Sequence, residues 1–202
     1  MLTFPEPALL LHYATHKVVT AQTVRMDRAL AKQIDSQWWK ATGLGSDRLQ
    51  EEDRSWSWVQ ILGQGRATKG GSSYANYLAV QTNDSFVQGA ISYWLNGRSR
   101  IVPTAGAVVV ECLATAPQNR PWLVNDPQFG GVGSNLLFLA VRHSYSVGLG
   151  GRVFLESLPS ERTRQFYEDF GFIRLAVHDD GIIEFELTPE NAQLQLRENG
   201  FL

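Results

Sequence analysis

Between Gln128 and Leu137 the chain reads QFGGVGSNLL, with Gly130, Gly131 and Gly133 followed at once by an apolar run. Glycine disfavours helix and leucine favours it, so the stretch predicts a tight loop opening into a helix. That helix continues to about Val147 and stops at Gly148. Such a junction offers backbone N–H groups and the positive end of a helix dipole to an anion. A plain chain reversal uses the same residues, so the flanks must decide. Upstream, AVVVECLATAP from Ala107 to Pro117 reads as a long, mostly apolar and therefore central strand. Eleven residues, Ala116 to Asp126, separate that strand from PQFGG. A dinucleotide fingerprint needs its glycines directly after the strand, so a Rossmann unit is disfavoured.

The remaining pattern sets the fold class. The first third reads as helical: Leu30, Ile34, Trp38 and Trp39 recur at helical spacing before Gly43, and Ser46 caps a second run carrying Leu49, Trp56, Val59 and Ile61. Gly63 to Ser73, GQGRATKGGSS, reads as a loop. Two strand-like runs flank Asn83-Asp84, a hairpin signal. After the glycine junction come a strand at Arg152–Leu158, a helix capped by Ser160 and ended by Gly171, a second hairpin around Asp179-Asp180-Gly181, and a final helix with Thr188 at the cap and Pro189 behind it. This order is α+β (mixed α/β), an antiparallel meander leading into a βαβ crossover.

Composition narrows the function classes. A chain of 202 residues with 44% hydrophobic content can bury one good core. Its net charge of −2 argues against a nucleic-acid binder driven by bulk charge. The single cysteine, Cys112, rules out an internal disulfide and fits a reducing compartment. No apolar run reaches membrane-span length, and PALLL near the start is too short for a signal segment. The expectation is a soluble cytoplasmic protein with no membrane or nucleic-acid partner.

Three pieces now fall in order: a strand ending in LATAP; QFGGVG, which fits Gln/Arg-x-x-Gly-x-Gly/Ala through Gln128, Gly131 and Gly133; and FYEDFGF from Phe166 to Phe172. Together they resemble the GNAT superfamily of acyl-CoA-dependent N-acetyltransferases. The resemblance covers about 85–187, the acyl-CoA-binding core. It implies a single domain over 1–202, with 1–83 as an N-terminal helical part with the first strands on the acceptor side. It further implies a central, mostly antiparallel sheet of about six to seven strands flanked by helices, with acetyl-CoA as cosubstrate and no metal. The pyrophosphate of the coenzyme would sit on Gln128, Phe129, Gly130, Gly131, Val132, Gly133 and Ser134. The pantetheine arm would pair with Leu113, Ala114 and Thr115. Residues 117–127 stand out as an insertion, and an asparagine usual after the next strand is replaced by Ser160 and Thr163.

Acyl transfer to an amine needs a proton acceptor, donors for the oxyanion and a proton for the departing thiolate. The resemblance gives the last role to Tyr167; packing among Phe166 and Phe170 is the competing reading. Two carboxylates are candidates for the base. Glu111 interrupts an apolar strand and shares a face with Leu113, and Glu156 lies in FLES on the next strand. An ion pair with Arg152 or Arg174 would account for either without chemistry. The oxyanion donor is expected from backbone N–H groups near Leu113–Thr115. His12 and His16 lack a third metal ligand, His143 reads as a satisfied histidine, and Cys112 as packing. The tryptophans read as mainly core, with Trp38, Trp39, Trp56, Trp58 and Trp122 as candidate acceptor-pocket walls. Arg66 and Lys69 read as solvated.

The function expected is transfer of an acetyl group from acetyl-CoA to a primary amine in a ternary complex. A non-catalytic acyl-CoA-binding or sensing module on the same fold is the alternative. The acceptor is a small-molecule or peptide amine, and the chain is compatible with a homodimer.

Overall fold

The computed structural model describes residues 3–41, 43–68 and 75–200. Nine strands hydrogen-bond in the order β6-β1-β2-β3-β4-β5-β7-β9-β8. They are β1 Glu6–His12, β2 Lys17–Arg25, β3 Ala75–Gln81, β4 Val87–Arg98, β5 Gly106–Thr115, β6 Phe129–Gly130, β7 Val153–Ser157, β8 Ile173–Val177 and β9 Ile183–Leu187. Among the described residues, five α-helices accompany them: α1 Arg28–Ser36, α2 Trp58–Thr68, α3 Val132–Ser146, α4 Glu161–Asp169 and α5 Pro189–Glu198. The class is the expected α+β, and the sheet has nine strands rather than six to seven. The six strands read from the sequence are all present; β1, β2 and β6 are additional.

Contacts divide the chain into two compact units. One comprises 3–92 and 112–136, the other 93–111 and 137–202.

In the first unit, β1 and β2 form an antiparallel hairpin from Glu6↔Thr23 to His12↔Lys17. The helical reading of the first third fails here for a visible reason. Ala8 and Leu10 face inward while Leu9 and Leu11 face out, a two-residue period hidden inside a continuous apolar run. β2 adds the β-branched Val18, Val19, Thr20, Thr23 and Val24. The next helix is as expected: Asp27 caps α1 by accepting the Leu30 N–H at 2.8 Å, and Ala31, Ile34, Trp38 and Trp39 are buried together. The second helical run is broken. Asp47–Gln50 is a short 3-10 turn that Ser46 does not cap with its side chain, and Leu49 is exposed. α2 begins only at Trp58. Its N-terminus is capped from α1, where Asp35 accepts the Trp58 N–H at 2.8 Å, the Val59 N–H at 3.3 Å and the Ser57 hydroxyl at 2.7 Å. α2 runs on to Thr68, so the loop read from Gly63 begins as helix; its remainder, including Lys69, lies outside the described residues. The β3–β4 hairpin turns at Asn83-Asp84 as expected, with Ser85 at a left-handed φ of 66°.

In the second unit, β7 pairs with β9 antiparallel from Val153↔Leu187 to Ser157↔Ile183. It pairs with β5 in parallel through Val108↔Val153, Val109↔Phe154 and Val110↔Leu155. Both predicted caps form: Ser160 accepts from the Thr163 N–H and Thr188 from the Asn191 N–H. The fully buried Glu186 takes Arg152 at 2.7 Å, the Ser99 hydroxyl at 2.5 Å, and the Arg100 and Ile101 N–H groups at 2.6 and 3.2 Å. Burial pushes its carboxyl up, and these hydrogen bonds outweigh burial and hold it below the ordinary carboxylate range.

Candidate active site

The glycine junction is a helix N-terminus with a bare cap. The Asn135 N–H bonds the Gly131 carbonyl at 3.0 Å, which makes Gly131 the capping residue of α3. Its φ of +77° favours glycine. Glycine has no side-chain oxygen to offer the first amides. α1, α2, α4 and α5 each have one, from Asp27, Asp35, Ser160 and Thr188. The N–H groups of Val132, Gly133 and Ser134 therefore lack both intrahelical acceptors and a capping side chain of their own.

The loop ahead of this terminus is fixed. Phe129 and Gly130 form β6 by pairing with His12 and Leu11 of β1, and the Tyr13 N–H bonds the Gln128 carbonyl at 3.0 Å. The Tyr13 ring covers Gly130 so closely that a Cβ there would lie 2.6 Å from its hydroxyl. Asn135 clamps the first turn from outside, with Nδ2 donating to the Leu9 carbonyl at 2.8 Å and the Gly131 carbonyl at 2.9 Å. Gly89 on β4 admits the helix from beneath: a Cβ there would meet Val132 Cγ1 at 2.4 Å and Leu136 Cδ1 at 3.0 Å. Gln128 and Gly131 are exposed, Phe129 and Ser134 half-buried, and Gly130, Val132 and Gly133 buried. At the end of β5, Leu113 and Thr115 are half-buried and Ala114 is buried. The Thr115 carbonyl already accepts two N–H groups from Arg120, at 3.0 and 2.8 Å.

In the other unit, strand register sorts the three candidate catalytic residues. Leu155 opposes Phe185, and Glu156 opposes Glu184, so these two pairs lie on opposite faces of the sheet. Tyr167 packs on the Leu155/Phe185 face, its ring 5.6 Å from that of Phe185 and also 5.6 Å from that of Phe172. Val110 pairs with Leu155, so the next residue of β5, Glu111, turns to the Glu156 face. The two candidate bases therefore share a face, and the candidate acid is on the other. Tyr167 is buried; Glu111 and Glu156 are exposed. Arg152, weighed as their partner, is committed to Glu186 instead.

Residues that sequence reading missed gather around Glu156. Glu156, His178 and Glu184 bring one donor atom each within 4.8 Å of one another. His178 and Arg100 approach Glu184 at 3.5 and 3.4 Å. Only the β7–β9 register, invisible without the partner strand, reveals the Glu156–Glu184 juxtaposition. Ser160 and Thr163, standing where an asparagine is usual, bond each other at 2.7 Å within the α4 cap. His143 is buried and pairs with the Tyr93 hydroxyl at 2.8 Å, the satisfied histidine expected. His12 pairs with Thr15 and packs edge-on against Phe129. Trp38, Trp39, Trp58 and Trp94 are buried, whereas Trp122 is 45% exposed. No helix among the described residues is long and apolar enough to cross a membrane.

No family model matches the sequence, and no curated protein matches it significantly. Solved structures do resemble it. The GNAT domain of the S. lividans protein PAT superposes with a TM-score of 0.59 at 16% identity, over 93% of this chain and 99% of that one. FdhC, described as a nucleotide-linked sugar GNAT, gives 0.61 at 10% identity over 98% of each chain. A spermidine N-acetyltransferase chimera built from Vibrio cholerae SpeG and hSSAT gives 0.56 at 12% identity, over 86% and 98%. The chain has the GNAT fold.

Proposed function

We propose that this chain, on its GNAT fold, is an acetyl-CoA-dependent N-acetyltransferase that transfers the acetyl group to a primary amine by direct attack. The observation that carries the proposal is the bare N-terminus of α3. Its amides are held in place by β6, Asn135 and Gly89, and Gly131, the capping residue, has no side chain to occupy them. Such a terminus suits a pyrophosphate, and QFGGVG supplies glycine where the phosphate oxygens approach the backbone.

The chemistry divides among named groups. Acetyl-CoA supplies the thioester carbonyl and a thiolate leaving group. The neutral amine attacks the carbonyl carbon, forming the C–N bond as the carbonyl oxygen becomes an oxyanion. Backbone N–H groups near Leu113–Thr115 stabilise that charge. Glu111 or Glu156, directly or through water, takes the proton the amine nitrogen sheds. The C–S bond then breaks, and Tyr167 supplies the proton the thiolate takes up. Both carboxylates share one face of the sheet and the tyrosine ring packs on the other, so the division requires the thioester to lie where groups from both faces reach it.

The test is release of free thiol from acetyl-CoA across a panel of amines, for the wild-type protein and for Glu111→Gln, Glu156→Gln and Tyr167→Phe. The proposal expects amine-dependent thiol release and a marked loss in Tyr167→Phe and in one of the two carboxylate variants. Unchanged rates in all three variants refute the roles, and no thiol release with any amine refutes the activity.

A further inference from the structure

The insertion 117–127 reaches the coenzyme loop through one buried side chain. Pro117–Asn119 forms a short 3-10 turn at the end of β5. Asn119 Oδ1 accepts the Phe129 N–H at 3.0 Å, and its Nδ2 donates to Gln88 Oε1 at 2.9 Å. Gln88 is 1% exposed. Its Oε1 also accepts from Gln118 Nε2 at 3.3 Å, and its own Nε2 donates to Thr82 Oγ1 at 2.9 Å. In the main chain, the Gln118 carbonyl accepts the Gln128 N–H at 3.1 Å and the Gln88 carbonyl accepts the Ala116 N–H at 2.8 Å. The first two residues of QFGGVG thus hang from the insertion by consecutive N–H groups.

Asn119 meets a demand that few side chains satisfy. It faces a backbone donor on one side and an amide oxygen on the other, so it must accept and donate at once. Aspartate lacks the donor and leucine lacks both. The next residue, Arg120, ties the same turn down elsewhere. It forms a two-pronged pair with Asp53 at 3.0 and 2.6 Å, reaches Glu51 at 2.6 Å, and stacks 5.2 Å from the Trp39 ring centroid. Arg120 also engages the Thr115 carbonyl. Consecutive residues therefore grip the end of β5 and the start of the glycine loop. Trp122 Nε1 closes the far side on Glu51 at 3.0 Å.

We infer that Asn119 is a positioning residue for coenzyme binding. Buried in the insertion, it holds the Gln128–Phe129 backbone so that the α3 amides are already aimed at the pyrophosphate before acetyl-CoA arrives. The inference rests on the coenzyme reading above. Pre-organisation of this kind lowers the ordering cost that binding would otherwise carry. Asn119 itself touches neither the reacting carbonyl nor the amine.

The test compares two acetyl donors in Asn119→Ala: acetyl-CoA, and S-acetylpantetheine, which has no pyrophosphate. Loss of the Asn119–Phe129 hydrogen bond predicts about a tenfold rise in KM for acetyl-CoA, with kcat changed less than about threefold. S-Acetylpantetheine, which never uses the loop, keeps its kcat/KM within about twofold, so the preference for acetyl-CoA collapses. A general loss of structure lowers both donors alike, and an equal fall overturns the inference, as does an unchanged ratio. Amide hydrogen exchange in the unliganded wild-type protein supplies an arm that needs neither variant nor ligand. Gln128 and Phe129 are expected to be protected, and exchange at the rate of open chain overturns the inference. Wild-type protein that binds no acetyl-CoA overturns the coenzyme reading as a whole; wild-type binding with an unchanged donor ratio in Asn119→Ala overturns only the role of Asn119.

Discussion

Gly131 combines two demands at one position: a left-handed backbone that caps α3, and no side chain in front of its amides. Gly131→Glu places bulk and negative charge at the proposed pyrophosphate position. It is predicted to abolish stabilisation by acetyl-CoA in thermal unfolding. Gly131→Ala is the control. It costs about 1 kcal/mol for a Cβ in the left-handed region but retains ligand stabilisation. Tyr167 gives a second residue-scale prediction. Phenylalanine preserves its packing against Phe166, Phe172 and Phe185, so Tyr167→Phe should fold normally and lose about a hundredfold in kcat if its hydroxyl is the acid. A fall in melting temperature with kcat retained would instead mark a core tyrosine. The residue scale was also where sequence reading was least complete. QFGGVG and Tyr167 stood out because their neighbours in sequence carry the pattern. Arg120 and Glu51 did not, because their contact joins positions 69 apart. Asn119 was hidden in the same way, since its meaning depends on Gln88.

Among the elements, the helices show how local signals succeed and non-local ones fail. Ser160 and Thr188 were legible because a cap and the amide it satisfies lie three residues apart. Ser46 carried the same signal and was misleading, because α2 begins only at Trp58, where Ser57 accepts the Gln60 N–H and Asp35 of α1 takes the Trp58 and Val59 N–H groups. Asp35→Ala should therefore cost about 2 kcal/mol in urea unfolding, the upper end for a cap, whereas Ser46→Ala should cost less than about 0.5 kcal/mol. The β1–β2 hairpin escaped reading because its apolar run masks alternation, yet that hairpin supplies the edge on which β6 lies. In the second unit, Arg152→Met would leave Glu186 buried without its cation. It is predicted to cost about 3–5 kcal/mol. The pH dependence follows from the lowered pKa of Glu186. Its contribution is present above the unfolded-chain value of about 4.3 and is lost as pH falls through the folded value. Urea midpoints of the wild-type protein should fall below about pH 4, and this acid limb should flatten in Arg152→Met.

For the whole molecule, the sequence carried the succession of six core strands along the chain, and solved structures share the fold at 10–16% identity. Likeness at that level fixes the fold and leaves the acceptor to the residues of this chain. The central claim is that the bare terminus of α3 binds the pyrophosphate of coenzyme A, and the most direct measurement is thermal unfolding with and without acetyl-CoA, paired with calorimetric titration. At about a hundred times the dissociation constant, the ligand should add roughly 2.7 kcal/mol to stability, and coenzyme A without its acetyl group should do nearly the same. An unshifted melting curve together with no heat of binding would contradict the claim.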